Sequence, residues 1–194
     1  TCAAGDRLYV TKDVDNVIRV SVNKQDGSAV VSSGGITLGT PVSVGTGTEL
    51  DVTGIPAGTK RLTIMITSEI GMSGPSGADE LWIRIGDSGG LETSGYVAAA
   101  GDDGGTAAQT SAFPLESPYN ATSNTYYTGT IILTLGDSSN NIWTITGSTY
   151  RSNTSSVFYL VGEKDLSGEL DRFSLMTKQG NKTFYSGEIN ITTE

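Results

Sequence analysis

The sequence contains no histidine, one cysteine (Cys2), and only 17% charged residues. Without histidine there is no imidazole to serve as a general base or as the usual nitrogen ligand of zinc. A single cysteine excludes an intrachain disulfide, so the fold has to rest on its apolar core. Basic residues are scarce, 12 against 21 acidic, and they form no run. A polyanion binder needs clustered Lys and Arg to displace counterions, so nucleic acid is excluded as a partner, and the same balance argues against anionic membranes. No apolar run approaches the roughly 20 residues of a membrane-spanning helix.

What is present is a globular composition of an all-β kind. Of 194 residues, 36% are hydrophobic and 26 are glycine, and Ser and Thr are abundant. That is too apolar and too sparsely charged for a disordered chain. Hydroxyl-bearing, β-branched and glycine-rich sequence suits short strands joined by tight turns. The net charge of -9 leaves protein or neutral glycan partners.

Alternation with a period of two dominates the chain. Ile18, Val20 and Val22 share one strand face, and Asp26-Gly27 then turns the chain into Ala29 to Val31. Leu62, Ile64 and Ile66 form a second apolar face, Leu81, Ile83 and Ile85 a third, and Ile131, Leu133 and Leu135 a fourth. Further strands are expected at Ile142 to Thr146, Val157 to Val161, Leu170 to Met176, Phe184-Tyr185 and Ile189 to Ile191. No window has a helical period. The pattern predicts an antiparallel two-sheet, jelly-roll-like β-sandwich over residues 36–194. Residues 1–35 read as an attachment segment or added hairpin. Gly95 to Thr110 reads as a long Gly/Ala/Asp loop, and Ser111 to Ser123, with Pro114 and Pro118, as irregular surface. Binding surfaces on such scaffolds sit on loops of this kind.

Gly86-Asp87-Ser88-Gly89-Gly90 matches the nucleophile motif of chymotrypsin-like proteases, whose serine depends on a histidine base. With no histidine, the motif reads as turn chemistry after the strand ending at Ile85, and no catalytic residue is assigned. Asp13-Val14-Asp15-Asn16 opens like a calcium loop but has Val17 and Ile18 where a ligand and a glycine belong. No metal or cofactor is expected. Paired carboxylates able to cleave a glycoside are not marked by any local pattern among Glu69, Asp79, Glu80, Glu92 and Glu116. Trp143, beside Ile145 on an alternating strand, reads as core. The expected ligand-binding residues are Tyr119, Asn120 and Tyr126, where aromatic rings offer rigid contact area in polar sequence, together with Asp102 and Asp103.

From about Ile36 onward the order of segments resembles a β-rich module at the C-terminal end of tailed-bacteriophage fibre and tail proteins. The matching stretches are Leu50 to Thr63, Ile85 to Tyr96, Gly129 to Leu135, Leu170 to Phe173 and Phe184 to Ile191. The resemblance covers roughly four-fifths of the chain. It departs from the pattern in the loop Gly71 to Gly77 and leaves residues 1–35 unmatched. It implies a non-enzymatic receptor-binding protein on the virion, a homotrimer that attaches to a host cell-surface glycan or protein and contacts other virion proteins. A capsid decoration protein without host recognition is the alternative, and a glycan-cleaving enzyme a third.

Overall fold

The computed structural model describes residues 7–12, 18–23, 29–30, 36–75, 79–102, 105–117 and 124–194, with 7–12, 18–23, 29–30 and 105–107 described by their backbone alone. The chain divides into two compact units, Thr1–Ile36 and Thr37–Glu194. In the first, β1 (Arg7–Lys12), β2 (Ile18–Asn23) and β3 (Ala29–Val30) make an antiparallel three-stranded sheet in that order. Lys12 pairs with Ile18, and Val22 with Val30. The turn expected at Asp26-Gly27 lies outside the described residues.

The second unit begins with β4 (Thr37–Leu38), β5 (Val42–Ser43), β6 (Glu49–Thr53), β7 (Arg61–Ser73), β8 (Leu81–Asp87), β9 (Gly90–Leu91) and β10 (Tyr96–Asp102). It continues with β11 (Gly105–Gln109), β12 (Phe113–Pro114), β13 (Thr125–Asp137), β14 (Ile142–Arg151), β15 (Ser156–Asp165), β16 (Arg172–Thr177) and β17 (Thr183–Thr193). There is no helix among the described residues. A nine-stranded sheet runs β11-β10-β15-β14-β13-β7-β17-β4, with β5 also on β17, and a five-stranded sheet runs β12-β8-β16-β6, with β9 on β8. Every pairing is antiparallel. The architecture is an all-β sandwich of two antiparallel sheets.

The alternation read from the sequence builds the core. Leu62, Ile64, Ile83, Ile85, Leu133 and Ile189 are buried, and Trp143 and Phe173 join them in one cluster. Each such side chain contributes about 1.5–3 kcal/mol through its apolar burial. Strand intervals of two residues put these groups on the inner side and their neighbours Thr63, Thr134 and Thr144 on the outer or half-exposed side.

Three expectations about loops are corrected. The stretch Gly71 to Gly77 is strand as far as Ser73, within β7, and Gly71 and Met72 are buried. Gly95 to Thr110 is a hairpin for most of its length, because β10 pairs with β15 and with β11. Tyr96, Ala98 and Ala100 point inward and are buried. Alanine has little intrinsic preference for strands, so only pairing partners distant in sequence make this segment extended. Ser111 to Ser123 is likewise more than surface, since Ala112, Phe113, Leu115 and Glu116 are buried. Pro114 is accommodated because β12 is a two-residue edge strand, where a missing N–H does little harm.

Candidate binding surface

The described members of the expected ligand set, Asp102 and Tyr126, flank one hairpin turn. Tyr119, Asn120 and Asp103 lie outside the described residues. The turn from β14 to β15 spans Ser152 to Ser155, with Ser155 at a φ of 53°. On one side Tyr126 is clamped to it: the Tyr126 N–H donates to Ser152 Oγ at 3.0 Å and the Ser152 N–H to the Tyr126 carbonyl at 3.0 Å. The Tyr126 ring meets Tyr185 edge-on, with centroids 5.8 Å apart. On the other side, Asp102 ends β10 beside Ser155 and Ser156 at the rim of a surface groove.

That groove follows from residue size across paired strands. In β15, Phe158 and Leu160 point inward, leaving Val157, Tyr159 and Val161 on the outer side. Register sets Tyr159 against Gly101 and Val161 against Ala99. Small residues on β10 beside large ones on β15 leave a depression of about 660 Å³, floored by Ala99, Ala100 and Gly101 and walled by Tyr159 and Val161. Tyr159 is 69% exposed, and Val97, one step along β10, is 72% exposed. Isolated exposed apolar residues are ordinary, but Val97, Val157, Tyr159 and Val161 are contiguous. Next to them β14 and β13 present Thr144, Thr146, Ser148, Thr130 and Thr134, all exposed hydroxyls. Asp102 is the one charged side chain among the described residues that line the groove. The surface is aromatic and hydroxyl-rich, and it carries two described acidic groups, Asp102 at the groove and the exposed Glu163, which lies opposite Val97 and Thr144.

Beneath the same end of the sandwich lies a buried polar cluster. Glu116 Oε1 accepts from the Leu81 N–H at 3.0 Å and from the Tyr127 hydroxyl at 2.8 Å, and Oε2 pairs with Arg151 Nη1. Arg151 also stacks over Phe158 at 4.8 Å, and its Nε donates to Thr154 Oγ1 at 3.1 Å. Burial pushes the Glu116 carboxyl above its usual range despite the Arg151 guanidinium and the Tyr127 hydroxyl, which pull the other way. Asp79 Oδ2 receives the N–H groups of Asn181 and Lys182, and its Oδ1 that of Gln179, each at 2.9 Å. These groups are committed to one another and to backbone. They tie down the 111–117 chain and the β16–β17 turn.

Gly86 to Gly90 is the β8–β9 hairpin turn, with Asp87 paired to Gly90. A Cβ on Gly86 would fall 2.0 Å from the Gly90 carbonyl oxygen, so only glycine fits there. Asp87 Oδ1 accepts the Gly89 N–H at 2.7 Å, and Oδ2 lies 2.8 Å from the Ser167 hydroxyl. Those two bonds hold the Asp87 carboxyl below its usual range, the Ser167 bond most. Glu92 also lies within reach of Ser167 Oγ and pairs with Lys164. Ser88 is exposed at the turn tip, and the network runs to Ser167, not to Ser88. No group of three or more His, Cys, Asp or Glu among the described residues is arranged to hold a metal ion.

Tyr159, Val161 and Val97 were not singled out from the sequence. The available signal was in Val157 to Val161, where both strand faces are apolar although a half-buried strand should alternate. Comparison with protein-family models, curated proteins and solved structures finds no match to this chain.

Proposed function

We propose that this protein is a binding module of the fibre- or spike-tip kind on a bacteriophage virion, attaching to a host surface through a neutral glycan or protein contact. The observation that carries the binding role is the groove between β10 and β15, where an exposed tyrosine faces a floor of alanine and glycine. An aromatic ring beside hydroxyl groups, with the Asp102 and Glu163 carboxylates nearby as acceptors, suits the apolar face and hydroxyl edge of a sugar ring. The ring stands on a paired strand, so no backbone has to be ordered on binding. The virion setting is supported by the order of sequence segments set out above.

The test is binding of the labelled 194-residue protein to intact bacterial cells and to an array of neutral glycans. Tyr159→Ala should weaken binding about tenfold, equivalent to roughly 1.4 kcal/mol, while the thermal melt is unchanged. Equal binding by the native protein and Tyr159→Ala would show that the groove is not the binding surface. Failure of the native protein to bind any cell or glycan would favour the decoration-protein reading.

A further inference from the structure

Sheet edges are where a folded chain is open to another strand, and proteins usually blunt them with charge, proline or shortness. Among the described residues of the second unit, three of the four sheet edges are blunted. The edge strand β6 carries Glu49 and Asp51. The opposite edge of the same sheet is split between the two-residue strands β12, with Pro114, and β9. The far edge of the nine-stranded sheet is split between the two-residue strands β4 and β5, with Pro41 between them. The fourth edge, β11, is five residues long and reads Gly-Thr-Ala-Ala-Gln, with neither charge nor proline. Among the described residues it pairs with β10 alone.

We infer that β11 is a docking edge for the β11 of a second copy of this chain, the two strands running antiparallel about a two-fold axis perpendicular to the sheet. Each copy carries a net charge of -9, so close approach demands an uncharged strip, and β11 supplies one. Direction follows from the position of Asp102, which ends β10 opposite Gly105. Antiparallel pairing brings that acidic end beside the Gln109 end of the other copy, whereas parallel pairing would set the two Asp102 residues abreast. Stoichiometry follows from the number of open edges. A two-fold contact consumes β11 alone, while a ring of three closed through the second unit would need another open edge there, and none is open among its described residues. The inferred assembly is therefore a pair, in place of the trimer that the fibre resemblance implies. The pairing does not depend on what the groove binds.

Sedimentation equilibrium on the full 194-residue chain at micromolar concentration should give about 40 kDa, twice the chain mass of 20.2 kDa. Ala108 is exposed on β11, so substitutions there spare the fold. Ala108→Asp and Ala108→Lys should each run near the single-chain mass with an unchanged melt, because Ala108, opposite Thr106 of the other copy, then sets two like charges diagonally across the axis, about 7–8 Å apart. Mixed in equal amounts, the two variants should pair again. Ala108→Thr, uncharged at the same position, should stay paired. A native mass near that of one chain or of three would overturn the inference. So would charged variants that remain paired, or a mixture that fails to associate.

Discussion

Replacing Arg151 with methionine removes the guanidinium and keeps most of the side-chain volume. Arg151 is 2% exposed and its partner Glu116 is fully buried, so the substitution strands a carboxyl in the interior. The Leu81 N–H and the Tyr127 hydroxyl still bond it, and neither carries charge. Breaking a buried ion pair from one side costs about 3–5 kcal/mol. For a chain of this length each kcal/mol moves the midpoint by about 2–4 °C, so the melt should fall by roughly 10 °C. The loss should also depend on pH. Burial already raises the Glu116 carboxyl above its usual value of 4.5, and Arg151 is the largest influence opposing that rise. An acid whose folded pKa exceeds its unfolded value binds its proton more tightly when folded. Its contribution to stability is therefore greatest below the unfolded pKa and declines as pH rises to the folded one. Removing Arg151 lifts the folded pKa further and extends that decline upward. Thermal melts of both proteins at pH 5 and pH 8 should show the larger difference at pH 8. A difference independent of pH, or a shift below about 1 kcal/mol, would refute the assignment of Glu116 and Arg151 as a mutually dependent buried pair.

Gly86→Ala should destabilise the protein by at least about 2 kcal/mol in a denaturant melt, because the new methyl meets the Gly90 carbonyl. Ser88→Ala, at the exposed tip of the same turn, should change the melt by less than about 0.5 kcal/mol. Tyr96→Phe removes a buried hydroxyl that donates to one of the Ile85 and Glu92 carbonyls and accepts the Ile85 N–H, and should cost about 1–3 kcal/mol by the same measurement. Ser167→Ala removes the main influence depressing the Asp87 carboxyl, so its NMR titration should move up toward 3.8. A depressed acid stabilises the fold above its unfolded pKa and loses that contribution as pH falls, so the variant's acid unfolding should be less steep in the range below pH 4.

The sequence makes the core legible because one strand face at a time is apolar. Leu62, Ile64, Leu133 and Ile189 alternate with polar neighbours, and all four are buried. Trp143 declares itself in the same way. The β10–β11 hairpin is hidden because Ala98 to Ala100 carries no strand signal of its own and is made extended by β15, some 60 positions later. Burial of the 111–117 stretch is hidden because Glu116 finds Arg151 35 positions away. The groove is least legible of all. It arises from the register that sets Gly101 against Tyr159, and register is a property of the folded sheet. Of the residues expected to bind a ligand, Asp102 reaches its rim and Tyr126 braces the neighbouring turn.

The proposed recognition surface is the β10–β15 groove. Its most direct measurement is a methyl and aromatic NMR titration of the labelled protein with a neutral oligosaccharide that it binds on the array. Shifts should concentrate on Val157, Val161 and Val97 and on the Tyr159 ring, and disappear in Tyr159→Ala. Shifts confined to Leu38 and Val42, at the opposite edge of the sheet, would contradict the claim.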